Sequence, residues 1–270
     1  MNLQINKKAN TFVYLFPTFF TAANMFCGLY SILLSIKGNF IKAAWLIIFG
    51  IIFDGIDGAI ARSKKIETLL GAELDSLADF ITFCIAPIIL LWQLIMYRFS
   101  IPGVVICFLY VLSSAIRLAR FNVNIYNDEK NERKTFINGL PTPASAGFII
   151  SLVFLIWITS NEPDVSKRHI TFILTLVPWL LNVLPAIILI LSILMITKIR
   201  YPKINVKLTQ KTSLRFFILF VGIILLILAY PETSIFLIFA AYILWGLFEY
   251  LYKIYNFRKN KNYNAIRSKE

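Results

Sequence analysis

Apolar residues fill this chain in runs close to the roughly 20 residues that cross a bilayer as a helix, with short polar clusters between them. Eight such runs stand out, at about 12–36, 40–62, 71–97, 101–121, 142–160, 170–197, 212–230 and 233–253. Each predicts a transmembrane helix, so the expected fold class is all-α: a polytopic membrane protein of about eight transmembrane helices. The first run is too long for a signal peptide, lacks a small-residue cleavage site and is followed directly by another span. No Gly/Ser-rich linker, repeat or shift in composition divides the chain, which predicts a single membrane domain over 1–270.

Composition supports this pattern. The chain is 59% hydrophobic, with a mean hydropathy of +0.74 and only 15% charged residues. A soluble domain is about half apolar and could not hide this much greasy surface. The net charge of +13 raises the possibility of nucleic acid, but its distribution argues against it. If both termini lie on one side, 22 of the 27 Lys and Arg fall on that side, and only Lys37, Lys42, Arg98, Lys167 and Arg168 fall opposite. That asymmetry is the positive-inside pattern, so both termini are expected in the cytoplasm of an integral, multi-pass cell-membrane protein. The basic C-terminal tail then meets anionic membrane lipids, and no nucleic acid partner is expected. Cys27, Cys84 and Cys107 are odd in number, fall within spans and have neither metal-ligand nor disulfide spacing. His169 stands alone in an outer loop, which argues against histidine acid–base chemistry.

One feature conflicts with so apolar a chain. Four of its six aspartates, Asp54, Asp57, Asp75 and Asp79, lie at or inside apolar runs. An ionised carboxylate in hydrocarbon costs several kcal/mol, so something must compensate. Asp54, Asp57 and Ala61 share one face of the second span, with Gly58 beside them; Gly71, Asp75 and Asp79 share a face of the third. The loop between is short and basic, so the two helices form an antiparallel hairpin over 40–97. Both acidic pairs sit within roughly 12 Å of that loop at 1.5 Å per residue. Incidental pairing with Arg62, Lys64 and Lys65 cannot neutralise both faces. Four converging carboxylates call for cations, and hard divalent ions take oxygen ligands and bridge to phosphates. The constellation suits two Mg²⁺ or Mn²⁺ ions and phosphoryl chemistry. Gly58 and Gly71 admit either a ligand or a neighbouring helix at close range.

The pattern Asp54-x2-Asp57-Gly58-x2-Ala61-Arg62-x8-Gly71-x3-Asp75-x3-Asp79 resembles the signature of the CDP-alcohol phosphotransferases at every specified position. The resemblance implies a six-helix core with a two-metal site, the helices of 212–253 being additional to it, and a homodimer. It implies that Asp54, Asp57 and Asp75 are metal ligands. Asp79 is implied as the base that deprotonates the acceptor hydroxyl and as a further ligand. Gly58, Ala61, Arg62 and Gly71 are implied to line the nucleotide and diphosphate pocket.

Three further stretches, "TFFTAANMFCGLYSI", "SSAIRLARFNV" and "FINGLPTPASAG", resemble the membrane-type CDP-diacylglycerol–serine O-phosphatidyltransferases. This resemblance implies that CDP-diacylglycerol and L-serine are the substrates, with phosphatidylserine and CMP as products. Thr21 and Asn24 are candidates for nucleotide or phosphate contact, or for hydrogen bonding between helices. Arg117 and Arg120 stand where the acceptor carboxylate needs a partner, and the planar guanidinium suits it. Topology anchoring is the plain alternative for both. Asn138 is the best candidate for acceptor contact in its stretch. Two departures exist: Pro17-Thr18 replaces the usual Pro-Asn, and Cys84-Ile85 precedes Ala86-Pro87 where Phe-Gly is common. A phosphate-bearing acceptor (glycerol 3-phosphate or an inositol phosphate) is the nearest rival reading. A divalent-cation transporter is the rival from another class.

Overall fold

The computed structural model describes residues 7–64, 69–127, 136–161, 171–197, 199–202 and 231–267. These residues form α1 (Lys7–Ile36), α2 (Phe40–Lys64), α3 (Leu69–Asp79), a π-helical turn (Phe80–Ile85) and α4 (Ala86–Leu94). A 3₁₀ turn (Met96–Phe99) leads to α5 (Ser100–Asn127), followed by α6 (Thr142–Asn161), α7 (Thr171–Ile196) and α8 (Pro231–Arg267). Two three-residue strands, β1 (Phe136–Asn138) and β2 (Arg200–Pro202), pair antiparallel with Ile137 opposite Tyr201. The all-α expectation holds apart from this small ribbon.

Among the described residues, five segments are long and apolar enough to cross a membrane: Thr18–Ile36, Leu70–Leu94, Met96–Val123, Pro178–Ile196 and Thr233–Tyr250. Thr142–Trp157 is a shorter apolar helix, and α2 carries both Asp54 and Asp57. The eighth-helix count is therefore not reproduced, and the expected span at 212–230 lies outside the described residues. Large apolar side chains point outward along the bundle, among them Phe108 (61% exposed) and Trp245 (67% exposed). In water such a surface would drive aggregation; against lipid it is the stable arrangement. The chain is a membrane protein. Its three cysteines are buried and free, as packing residues should be.

The expected span at 71–97 is present as one apolar run, Leu70–Leu94, whose helix changes pitch directly after Asp79. Pro87 has no N–H, and its ring would strike the carbonyl of Phe83. The chain widens into a π turn, in which the Ala86 N–H reaches back to the Ile81 carbonyl. The Phe83 carbonyl left over by Pro87 accepts the Tyr110 hydroxyl from α5 at 3.4 Å. Sequence periodicity predicts one helix here because a single wide turn barely disturbs the apolar pattern.

α1 and α2 form a hairpin closed at Gly38 (φ +77°), where the Asn39 N–H returns to the Leu34 carbonyl at 2.9 Å. The left-handed residue favours glycine there. The Ser31 hydroxyl donates to the Ala43 carbonyl and stitches the two helices further in. Gly28 on α1 and Gly50 on α2 both abut Thr82 of the π turn. A Cβ on Gly50 would stand 2.5 Å from Thr82 Cγ2 and 2.9 Å from Asn24 Oδ1. Gly50→Val is therefore expected to cost about 1–3 kcal/mol through overpacking. It should also displace Asn24, so the purified variant should lose both thermal stability and turnover. Unchanged melting would mean that the three helices do not meet there.

Candidate functional site

The hairpin of α2 and α3 brings the signature carboxylates together. Ligand oxygens of Asp54, Asp57 and Asp75 all lie within 4.8 Å of one another, with Asp57 buried and the other two half-buried. Asp79, one turn beyond Asp75, interacts electrostatically with all three. At an effective dielectric near 20, each ionised pair at such a separation repels by about 3–4 kcal/mol. A cluster of this kind is relieved by a compensating positive charge or by taking up a proton. Oxygen donors about one octahedral Mg²⁺ stand about 3–4 Å apart, so this all-oxygen set fits a hard divalent ion with little movement.

A layer supplied by α1 fixes these side chains. The Thr21 hydroxyl donates to Asp57 Oδ2 at 3.1 Å, and Asn24 Nδ2 donates to Asp79 Oδ1 at 3.1 Å. Asn24 is fully buried and is itself held by Thr82, whose hydroxyl donates to the Asn24 carbonyl at 2.9 Å. Thr21 and Asn24, candidates for nucleotide contact in the sequence, are thus turned toward the carboxylates. On the far side, the Ser76 hydroxyl donates to Asn122 Oδ1 at 3.0 Å and ties α3 to α5. Gly58 and Gly71 flank the acids, both half-exposed on the hairpin. Ala61 and Arg62 continue α2, but their side chains lie outside the described residues, as does that of Asn138 in β1.

The two candidate arginines diverge. Arg120 is exposed and donates to the Ile196 carbonyl at 2.7 Å, capping the end of α7. Arg117 turns inward: one terminal nitrogen donates to Thr142 Oγ1 at 2.8 Å, and the guanidinium lies within electrostatic reach of Asp79 and Asp54. Their three-residue spacing allows a common ridge, yet the packing of α7 draws one of them away. Arg117 Nε has no hydrogen-bond partner among the described residues, and the hydroxyl of fully buried Ser145 has only the Tyr110 phenol beside it.

Sequence reasoning missed Thr82, Ser76 and Asn122. Thr82 sits three residues after Asp79 on the acidic face, and that spacing was the available signal. Ser76 and Asn122 carry no such mark; only the tertiary contact reveals them.

Residues 14–184 match the sequence model of the family described as CDP-alcohol phosphatidyltransferase. A CDP-diacylglycerol–serine O-phosphatidyltransferase of Helicobacter pylori is 33% identical over 258 residues, covering 94% of this chain and 98% of its own. The archaetidylserine synthase of Methanothermobacter thermautotrophicus is 31% identical over 202 residues, 74% of each chain. The CDP-diacylglycerol–serine O-phosphatidyltransferase of Saccharomyces cerevisiae is 31% identical over 148 residues, about half of each chain.

Proposed function

Because the chain belongs to the CDP-alcohol phosphatidyltransferase family, we propose that it transfers the phosphatidyl group of CDP-diacylglycerol to the hydroxyl of L-serine. The products are phosphatidylserine and CMP. The observation that carries the reaction type is the convergence of the Asp54, Asp57 and Asp75 oxygens from two helices of one hairpin. The acceptor rests on the serine-specific names of relatives that align over nearly the whole chain.

Asp54, Asp57 and Asp75, with Asp79 beside them, would hold two divalent ions, Mg²⁺ or Mn²⁺. Such ions, when bound, neutralise the diphosphate and stabilise the charge that develops on it. Asp79 receives the proton of the serine hydroxyl. Asn24 ties one of its oxygens and so sets the direction of the other. The serine oxygen forms its bond to the β-phosphorus as the bond to the CMP oxygen breaks, and CMP departs with its phosphate. In this reading Asp79 contributes as a well-placed base. Gly58 and Gly71 leave room for the nucleotide and diphosphate, and Ala61 and Arg62 continue that wall. Arg117 binds the serine carboxylate through its planar guanidinium. Arg120, bonded to α7, serves the fold in this reading.

The diacylglycerol chains remain in the bilayer, and the site opens on the cytoplasmic face, where both termini also lie. The positive-inside distribution supports that orientation. The basic tail lies on anionic lipid, and the active species is a homodimer, a state taken from the family resemblance.

The test is CMP release from CDP-diacylglycerol by the purified full-length chain with Mg²⁺ or Mn²⁺. L-Serine should trigger release, whereas glycerol 3-phosphate and inositol phosphate should not. Release with a phosphate-bearing acceptor alone would replace serine as the substrate. No release with any acceptor, together with metal uptake into vesicles, would favour a cation transporter.

A further inference from the structure

We infer that α8 completes the acceptor pocket, its Tyr242 phenol closing over Arg117, Thr142 and Ser145 and helping to hold the acceptor's carboxylate. This inference rests on the reading of Arg117 given above. It extends the site to a helix that lies beyond residue 184, where the family match ends.

The register of α8 on α6 places Tyr242 there. The Phe239 ring occupies the space that a side chain on Gly147 would need. Three residues earlier on α8, the Phe236 ring stands 5.7 Å from that of Phe148 and packs against the Leu155 and Ile156 pair further along α6. Numbers rise along α8 as they fall along α6, so the helices are antiparallel. The next turn of α8 then reaches the start of α6, Thr142 to Ser145. Tyr242 and Ile243 occupy that turn, with Ile243 buried and Tyr242 half-buried. Tyr242 and Arg117 also interact electrostatically, which agrees with this placement.

The polar atoms gathered there need a ligand. Arg117 Nε is buried without a partner among the described residues, and Ser145 Oγ has only the Tyr110 phenol beside it; an unmet buried donor is costly. A carboxylate can accept from the guanidinium and from hydroxyls at once, and a phenol is a donor suited to that task. One guanidinium with neutral hydroxyls matches a singly charged carboxylate better than a dianionic phosphate. The ligand class is therefore a hydroxy amino acid rather than a sugar or polyol phosphate.

The test compares wild type, Tyr242→Phe, Tyr242→Leu and Ser145→Ala in serine-dependent CMP release, with calorimetric serine binding alongside. Tyr242→Phe keeps the ring and its packing, and is expected to raise the KM and Kd for serine about tenfold, the worth of one hydrogen bond to a charged group. The KM for CDP-diacylglycerol should stay within about twofold, since no lost bond concerns it. Ser145→Ala should move serine affinity in the same direction. If the Tyr242 variants keep the serine KM and Kd of an active wild type, the inference is overturned and the functional reading stands. A lower kcat or melting point with both KM values unchanged would likewise reduce Tyr242 to helix packing. If wild type itself neither binds serine nor releases CMP with it, both the inference and the serine reading fall.

Discussion

Asp54→Asn, Asp57→Asn and Asp75→Asn are each expected to abolish serine-dependent CMP release while the protein remains folded in detergent. The carboxamide keeps the shape of the side chain and removes the charge that holds a hard cation. The three oxygens lie within 4.8 Å of one another, so the loss of any one removes a donor from the same small site. Loss of one preorganised electrostatic contact commonly costs about 10²–10³ in rate, and a displaced ion removes more than one contact. The expected loss is therefore on the order of 10³-fold or greater. Relief of carboxylate repulsion should leave the melting temperature in the absence of metal unchanged or higher. Mn²⁺ titration followed by electron paramagnetic resonance supplies the readout that does not depend on turnover: each variant should bind fewer or weaker ions. Near-normal activity at limiting Mg²⁺ would remove that residue from the metal shell.

Asp79→Asn should behave differently. Its neighbour Asn24 donates to Oδ1, and an amide oxygen in the same place can accept that bond, so local structure should survive. What disappears is the ability to take a proton. The variant is expected to bind CDP-diacylglycerol with little change and to lose roughly 10²–10⁴-fold in kcat, the range for a general base. Comparing lipid-nucleotide binding with turnover decides the matter. If binding collapses together with rate, Asp79 acts chiefly as a ligand and the proton goes elsewhere.

Much of this arrangement was legible in the sequence because helical periodicity is strict. Asp54 and Asp57, or Asp75 and Asp79, must share a face wherever the helix goes, and a short loop must return the second helix beside the first. Other features depend on what a single helix cannot reveal. The π turn after Asp79 arises from a clash between Pro87 and Phe83 that leaves the apolar pattern intact. The separation of Arg117 from Arg120 arises from the end of α7, 76 residues along the chain from Arg120, offering a carbonyl to one of them. The turn of Asn24 toward Asp79 depends on Thr82 and Gly50, drawn from two other elements. Tyr242 lies in a helix without a motif, so its position follows only from the register of Phe239 on Gly147.

The central claim is that the serine hydroxyl attacks the phosphorus of CDP-diacylglycerol at this acidic site. Mass spectrometry of the products formed from L-serine labelled with ¹⁸O in its hydroxyl tests it most directly. The label should appear in the phosphate ester bridge of phosphatidylserine, with none in CMP, and both products should vanish with Asp75→Asn. Unlabelled phosphatidic acid as the only lipid product, or CMP formed at the same rate without serine, would contradict the account.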